Sequence, residues 1–136
     1  MRRGTLTWVV LVGVAVFLAG CGSTKPEEEA VAAPTVNAKD PLAAMTLLHQ
    51  GKAMIAEGRV DEGISRYRAA LKMQPTNPTI HNAIGAAELQ RDNATKAIES
   101  FNRALQYAPS YSDARNNRGA AYVRLNQLAL AENDFL

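Results

Sequence analysis

Between residues 41 and 136, apolar side chains recur at the three-and-four spacing of an amphipathic helix, in segments separated by short polar breaks. Leu42, Met45, Leu48 and Ile55 mark a first helix. It opens at Asp40-Pro41, an N-cap acceptor followed by a proline whose missing N–H costs nothing in the first turn, and it stops near Gly58. Ile64, Tyr67 and Leu71 share one face of a second helix, Val60 to Met73, which Pro75 prevents from continuing. Asn77-Pro78 repeats the opening device. The same pattern then predicts helices over Thr79 to Gln90, Ala94 to Tyr107, Asp113 to Leu125, and Leu128 to the end, with Ser110 or Ser112 capping the fifth.

These segments are copies of one another. Gly51, Gly85 and Gly119 stand 34 residues apart. Twelve residues after each comes Gly63, Ala97 or Ala131, and sixteen after each comes a ring, Tyr67, Phe101 or Phe135. Ala70 and Ala104 follow at nineteen, Pro75 and Pro109 at twenty-four. A fixed period in the thirties predicts stacked helical hairpins. A glycine inside a helix costs about 1 kcal/mol against alanine, so its threefold recurrence marks a close approach between paired helices. Gly63, Ala97 and Ala131 supply the facing gap, and the ring is expected to fill the space between one hairpin and the next.

On these columns the chain resembles the tetratricopeptide repeat, with units at about 44–77, 78–111 and 112–136, the third cut short at Phe135-Leu136. The family's early tryptophan is replaced by Leu47, His81 and Arg115; its common first-helix aromatic is replaced by Met54 and Glu88 in the first two units and kept as Tyr122 in the third. The resemblance implies an all-α solenoid of helical hairpins in a right-handed superhelix, whose first helices line a concave groove for an extended peptide or a partner helix. By register the groove positions are Leu48, Lys52 and Ile55, then Asn82, Ala86 and Leu89, then Asn116, Ala120 and Val123. The asparagines can hydrogen-bond a ligand backbone, and the aliphatic residues offer a shallow apolar strip. Arrays of this kind need about three units and a polar cap, so further repeats are expected to follow.

The N-terminus carries a different signal. Met1-Arg2-Arg3 is a basic head, and the apolar run from Leu6 to Ala19 is shorter than the about 20 residues needed to span a bilayer. That layout is a secretory signal, and Leu18-Ala19-Gly20-Cys21 resembles the bacterial lipobox. The resemblance implies residues 1–20 as a lipoprotein signal peptide and Cys21 as the lipidation site, carrying a diacylglyceryl thioether and often palmitate. Gly22, where an aspartate would favour inner-membrane retention, implies delivery to the periplasmic face of the outer membrane. Residues 21–40, with Glu27-Glu28-Glu29 and scattered prolines, read as a disordered tether reaching about 25 Å.

Charge and reactive groups narrow the function further. The net +2 disappears with Arg2 and Arg3, leaving 13 basic and 13 acidic side chains and no electrostatic footprint for nucleic acid. His49 and His81 are the only histidines and Cys21 the only cysteine, so no metal site or cofactor is expected. Ser65 and Ser100 have no neighbouring base, and Asn93-Ala94-Thr95 reads as a helix cap. Neither an enzyme nor a small-molecule binder is expected; a protein partner and a lipid-anchored membrane contact are. The stretch Asp113-Ala114-Arg115-Asn116-Asn117-Arg118-Gly119 resembles the pilotin lipoproteins of type IV pili, which implies assistance to an outer-membrane secretin. Lipoproteins of tight-adherence pili, outer-membrane protein assembly and cell-wall enzyme scaffolding share the same layout.

Overall fold

The computed structural model describes residues 40–136. The expected signal peptide, Cys21 and the expected tether up to Lys39 lie outside the described residues. Six helices follow one another: α1 Pro41–Ala56, α2 Val60–Met73, α3 Pro78–Gln90, α4 Ala94–Tyr107, α5 Ser112–Arg124 and α6 Leu128–Phe135. There is no strand among the described residues. They pair as hairpins, α1 with α2, α3 with α4 and α5 with α6, and each hairpin packs on the next.

The starts and stops have local causes. The Asp40 carboxylate accepts from the Leu42 and Ala43 amides at 3.0 and 3.4 Å, and Asn77 accepts from the Thr79 amide at 2.9 Å. These bonds satisfy orphan donors of the first turns of α1 and α3. The fifth helix departs from expectation. Its N-cap is Tyr111, which makes no side-chain cap bond, so neither Ser110 nor Ser112 serves. Asn93 does occupy the N-cap of α4, yet its side chain makes no cap bond and its Nδ2 donates to Glu88 Oε2 at 3.5 Å.

Each first helix ends in the same turn. Gly58, Asp92 and Asn126 have φ of 80, 60 and 58°, the left-handed region open to glycine and tolerated by Asp and Asn. The next amide then reaches back: Arg59 to Met54 O, Asn93 to Glu88 O and Gln127 to Tyr122 O, each at 2.9 Å. This six-to-one bond closes the helix end.

Packing explains the small-residue columns, with one revision. A Cβ on Gly85 would lie 2.5 Å from Cε1 of Phe101, inside any permitted contact, and Gly51 meets Tyr67 and Gly119 meets Phe135 in the same way. The ring therefore seats first on the glycine of its own hairpin; the following hairpin covers the outer side of Tyr67 and of Phe101, while Phe135 is 54% exposed. Tyr67 joins Ile64, Ile80, Ile84 and Ala87 in the core between the first two hairpins. Phe101 joins Ala97 and Ala121 in a smaller core between the second and third. That core shrinks because Arg118 stands in the column of Ile84. Its guanidinium turns to Asp134 of α6 at 2.5 and 2.8 Å and to Asn102 of α4 at 2.6 Å.

Candidate functional site

The first helices α1, α3 and α5 form one side of the array, and α3 packs directly on α5. On α5, Asn116, Ala120 and Val123 recur at helical spacing and are all exposed. On α3, Asn82, Ala86 and Leu89 are half-buried. Asn117 Nδ2 donates to Asn82 Oδ1 at 3.0 Å, and Asn82 Nδ2 donates to the Tyr111 hydroxyl at 3.4 Å. An amide ladder thus crosses from one hairpin to the next, with Asn116 beside it and open to solvent. Asn117 and Tyr111 belong to this surface although the register points only to Asn116; the 3.6-residue turn places both neighbouring asparagines on the same broad face.

The apolar positions divide. Ile55 is turned toward its own hairpin, where a Cβ on Gly63 would collide with it. Leu48 packs against the first core and Leu89 against the second, both half-buried, so they offer edges rather than a strip. Lys52 is exposed, Val123 is 48% exposed, and Met45, one i,i+7 step before Lys52, is 54% exposed.

Arg124, at the end of α5, donates through Nη1 to Leu89 O at 2.9 Å and to Asp92 Oδ1 at 3.1 Å. It ties the third hairpin to the turn of the second. Between the first two hairpins the tie is deeper. Glu88 is 1% exposed and receives Arg68 at 3.4 Å and Arg91 at 3.3 Å, while Arg91 also reaches Asp61 at 3.1 Å.

A cleft of about 250 Å³ among α2, α3 and α4 is lined in part by Arg68, His81, Glu88 and Arg103. Small-molecule pockets are typically about 300–1,000 Å³, so this cleft is small for a ligand site. His81 has a structural role there: its Nε2–H donates to Pro75 O at 2.9 Å and its ring stacks on Tyr107 with centroids 5.5 Å apart. Among the described residues no three His, Cys, Asp or Glu side chains converge to hold a metal ion.

Matching against protein families aligns residues 48–112 and 87–136 with the tetratricopeptide repeat. The peroxisomal targeting signal receptor of Candida glabrata is 33% identical over 90 residues, which cover 66% of this chain and 15% of that protein. The first TPR domain of human RPAP3 superposes with a TM-score of 0.68 at 28% identity, covering 71% of this chain and 76% of that one. The second TPR of Spaghetti (RPAP3), bound to the HSP90 peptide SRMEEVD, gives 0.66 at 25% identity, covering 68% and 86%. The Sgt2 TPR domain from Aspergillus fumigatus gives 0.68 at 26%, covering 71% and 63%. None of these relatives points to an enzymatic family.

Proposed function

Because the chain belongs to the tetratricopeptide repeat family and its described part is a protein-interaction domain, we propose that it is a membrane-anchored scaffold gripping a protein partner through the first-helix face. One observation carries the reading: the exposed stripe of Asn116, Ala120 and Val123 beside the Asn82–Asn117 ladder. Such a surface presents amides for a partner's backbone and small residues that let that backbone approach. The peptide complex of the RPAP3 neighbour supports a peptide or protein ligand.

The anchor is Cys21, supported by the Leu-Ala-Gly triplet before it. A diacyl anchor holds a protein on a bilayer for practical purposes. It also raises the partner's effective concentration without any new contact. The compartment is the cell envelope, at the periplasmic face of the outer membrane. Within it the chain acts as a pilotin-like lipoprotein assisting secretin assembly in type IV pili, supported by the Asn116-Asn117 pair before Gly119. The second reading is a general envelope adaptor serving tight-adherence pili, outer-membrane protein assembly or cell-wall enzymes; Arg118, where the pilotin group often has an aromatic, favours it.

The test is a gene deletion together with Cys21→Ala. Both should leave secretin monomers unassembled and abolish surface pili, and Cys21→Ala should block palmitate incorporation. Normal secretin multimers in the deletion strain would leave only the adaptor reading. Palmitate uptake by Cys21→Ala would refute the anchor.

A further inference from the structure

The first-helix face is close to uncharged. On α1, the side carrying Met45 and Lys52 also carries His49 and no acid; on α3, the side carrying Asn82 and Ala86 has no ionisable group. On α5, Asp113 and Arg124 recur with Asn116 and Ala120 on the same helical face. Arg124 is committed to Leu89 O and Asp92. The two other arginines of α5 are drawn away: Arg115 donates to Pro109 O at 2.9 Å, and Arg118 to Asp134 and Asn102. What remains is one lysine and one aspartate, on different hairpins. Exposed apolar side chains on the first helices include Met45 on α1 and Val123 on α5.

We propose that the ligand of this face is an uncharged, apolar-rich internal segment of a protein, and not an acidic chain end. The proposal rests on the groove reading and names its ligand class. An acidic tail such as SRMEEVD, the peptide held by the RPAP3 neighbour, would bring three carboxylate side chains and a terminal carboxylate against a single uncommitted cation, Lys52. Charges that lose water on binding without an opposite partner weaken the complex. An internal segment carries no terminal carboxylate. Its backbone can pair with Asn116, whose amide is open to solvent, and its aliphatic side chains can cover Met45 and Val123. Binding of that kind changes little with salt, because screening acts on charge pairs.

The full-length protein would be panned against a random peptide display library at physiological and at high salt. Ala120→Trp serves as the blocked control; Ala120 is exposed, so the indole fills the face without entering a core. The expected pool is neutral and aliphatic, survives high salt, and loses at least tenfold in affinity on Ala120→Trp, while free SRMEEVD binds at least tenfold more weakly than the best selected peptide. An acidic pool that is lost on Lys52→Ala would overturn the ligand class and leave the groove. A pool indifferent to Ala120→Trp would overturn the groove itself.

Discussion

Arg118 grips Asp134 with two parallel bonds, from Nε at 2.8 Å and Nη2 at 2.5 Å, across the interior of the third hairpin. The two partners are not equally placed: the Asp134 side chain is 3% exposed and that of Arg118 is 23%. The carboxylate holds the guanidinium pKa above its ordinary value, chiefly through the hydrogen bonds.

This asymmetry predicts unequal losses. Arg118→Ala strands a buried carboxylate and should cost about 3–5 kcal/mol. Asp134→Ala leaves a guanidinium that can reach water and should cost about 1–3 kcal/mol. Denaturant titration of the two variants checks the order; equal losses would mean that the pair is effectively solvated.

Glu88 allows a complementary experiment. Its carboxylate is buried between two arginines that are themselves partly in water. Glu88→Met keeps the volume and removes the desolvated charge, so it should be neutral or stabilising by about 1 kcal/mol or more. Glu88→Ala, which adds a void, should destabilise by about 1–3 kcal/mol. A thermal melt that places Met below Ala would contradict this reading of the junction.

A third prediction concerns the glycine column. Gly85→Ala sets a methyl against the buried Phe101 ring. Overpacking costs about 1–3 kcal/mol, while helix propensity returns about 1 kcal/mol. Phe101→Leu should be less damaging in the Gly85→Ala background than alone, because the smaller side chain frees the space. A double-mutant cycle reads the coupling directly; additive effects would exclude direct contact as the cause.

Alkaline stability provides a fourth. Burial raises the Tyr67 phenol above its ordinary value of 10.0. The folded state therefore holds the proton more tightly than the unfolded chain. That contribution is complete below pH 10 and is lost as pH rises through the folded pKa. Tyr67→Phe, measured by chemical denaturation from neutral pH upward, should show a shallower fall above pH 10 than the parent.

Much of the architecture is legible in the chain because its determinants are local. Asp40-Pro41 and Asn77-Pro78 announce helix starts, and the glycine and ring columns announce hairpins. The fifth helix start is not legible, because Tyr111 replaces the cap and directs its hydroxyl to Asn82 instead. The left-handed column was present at the same spacing but hidden by its chemistry, since Gly58, Asp92 and Asn126 look unrelated until their φ values are compared. Ile55 shares the groove register yet lies against Gly63 of its own hairpin, because the two kinds of position differ by less than a turn. The ties of Arg68 to Glu88 and of Arg118 to Asp134 join residues 20 and 16 apart, and no helical period marks that these charged pairs will meet.

Two side chains of unlike chemistry act as the same strut: His81 donates to Pro75 O and Arg115 to Pro109 O, both at 2.9 Å and each six residues downstream of its acceptor. The linkers between hairpins are thus gauged by a donor's reach and not by its identity. An imidazole and a guanidinium fill one role at that joint, bracing each linker against the helix that follows it.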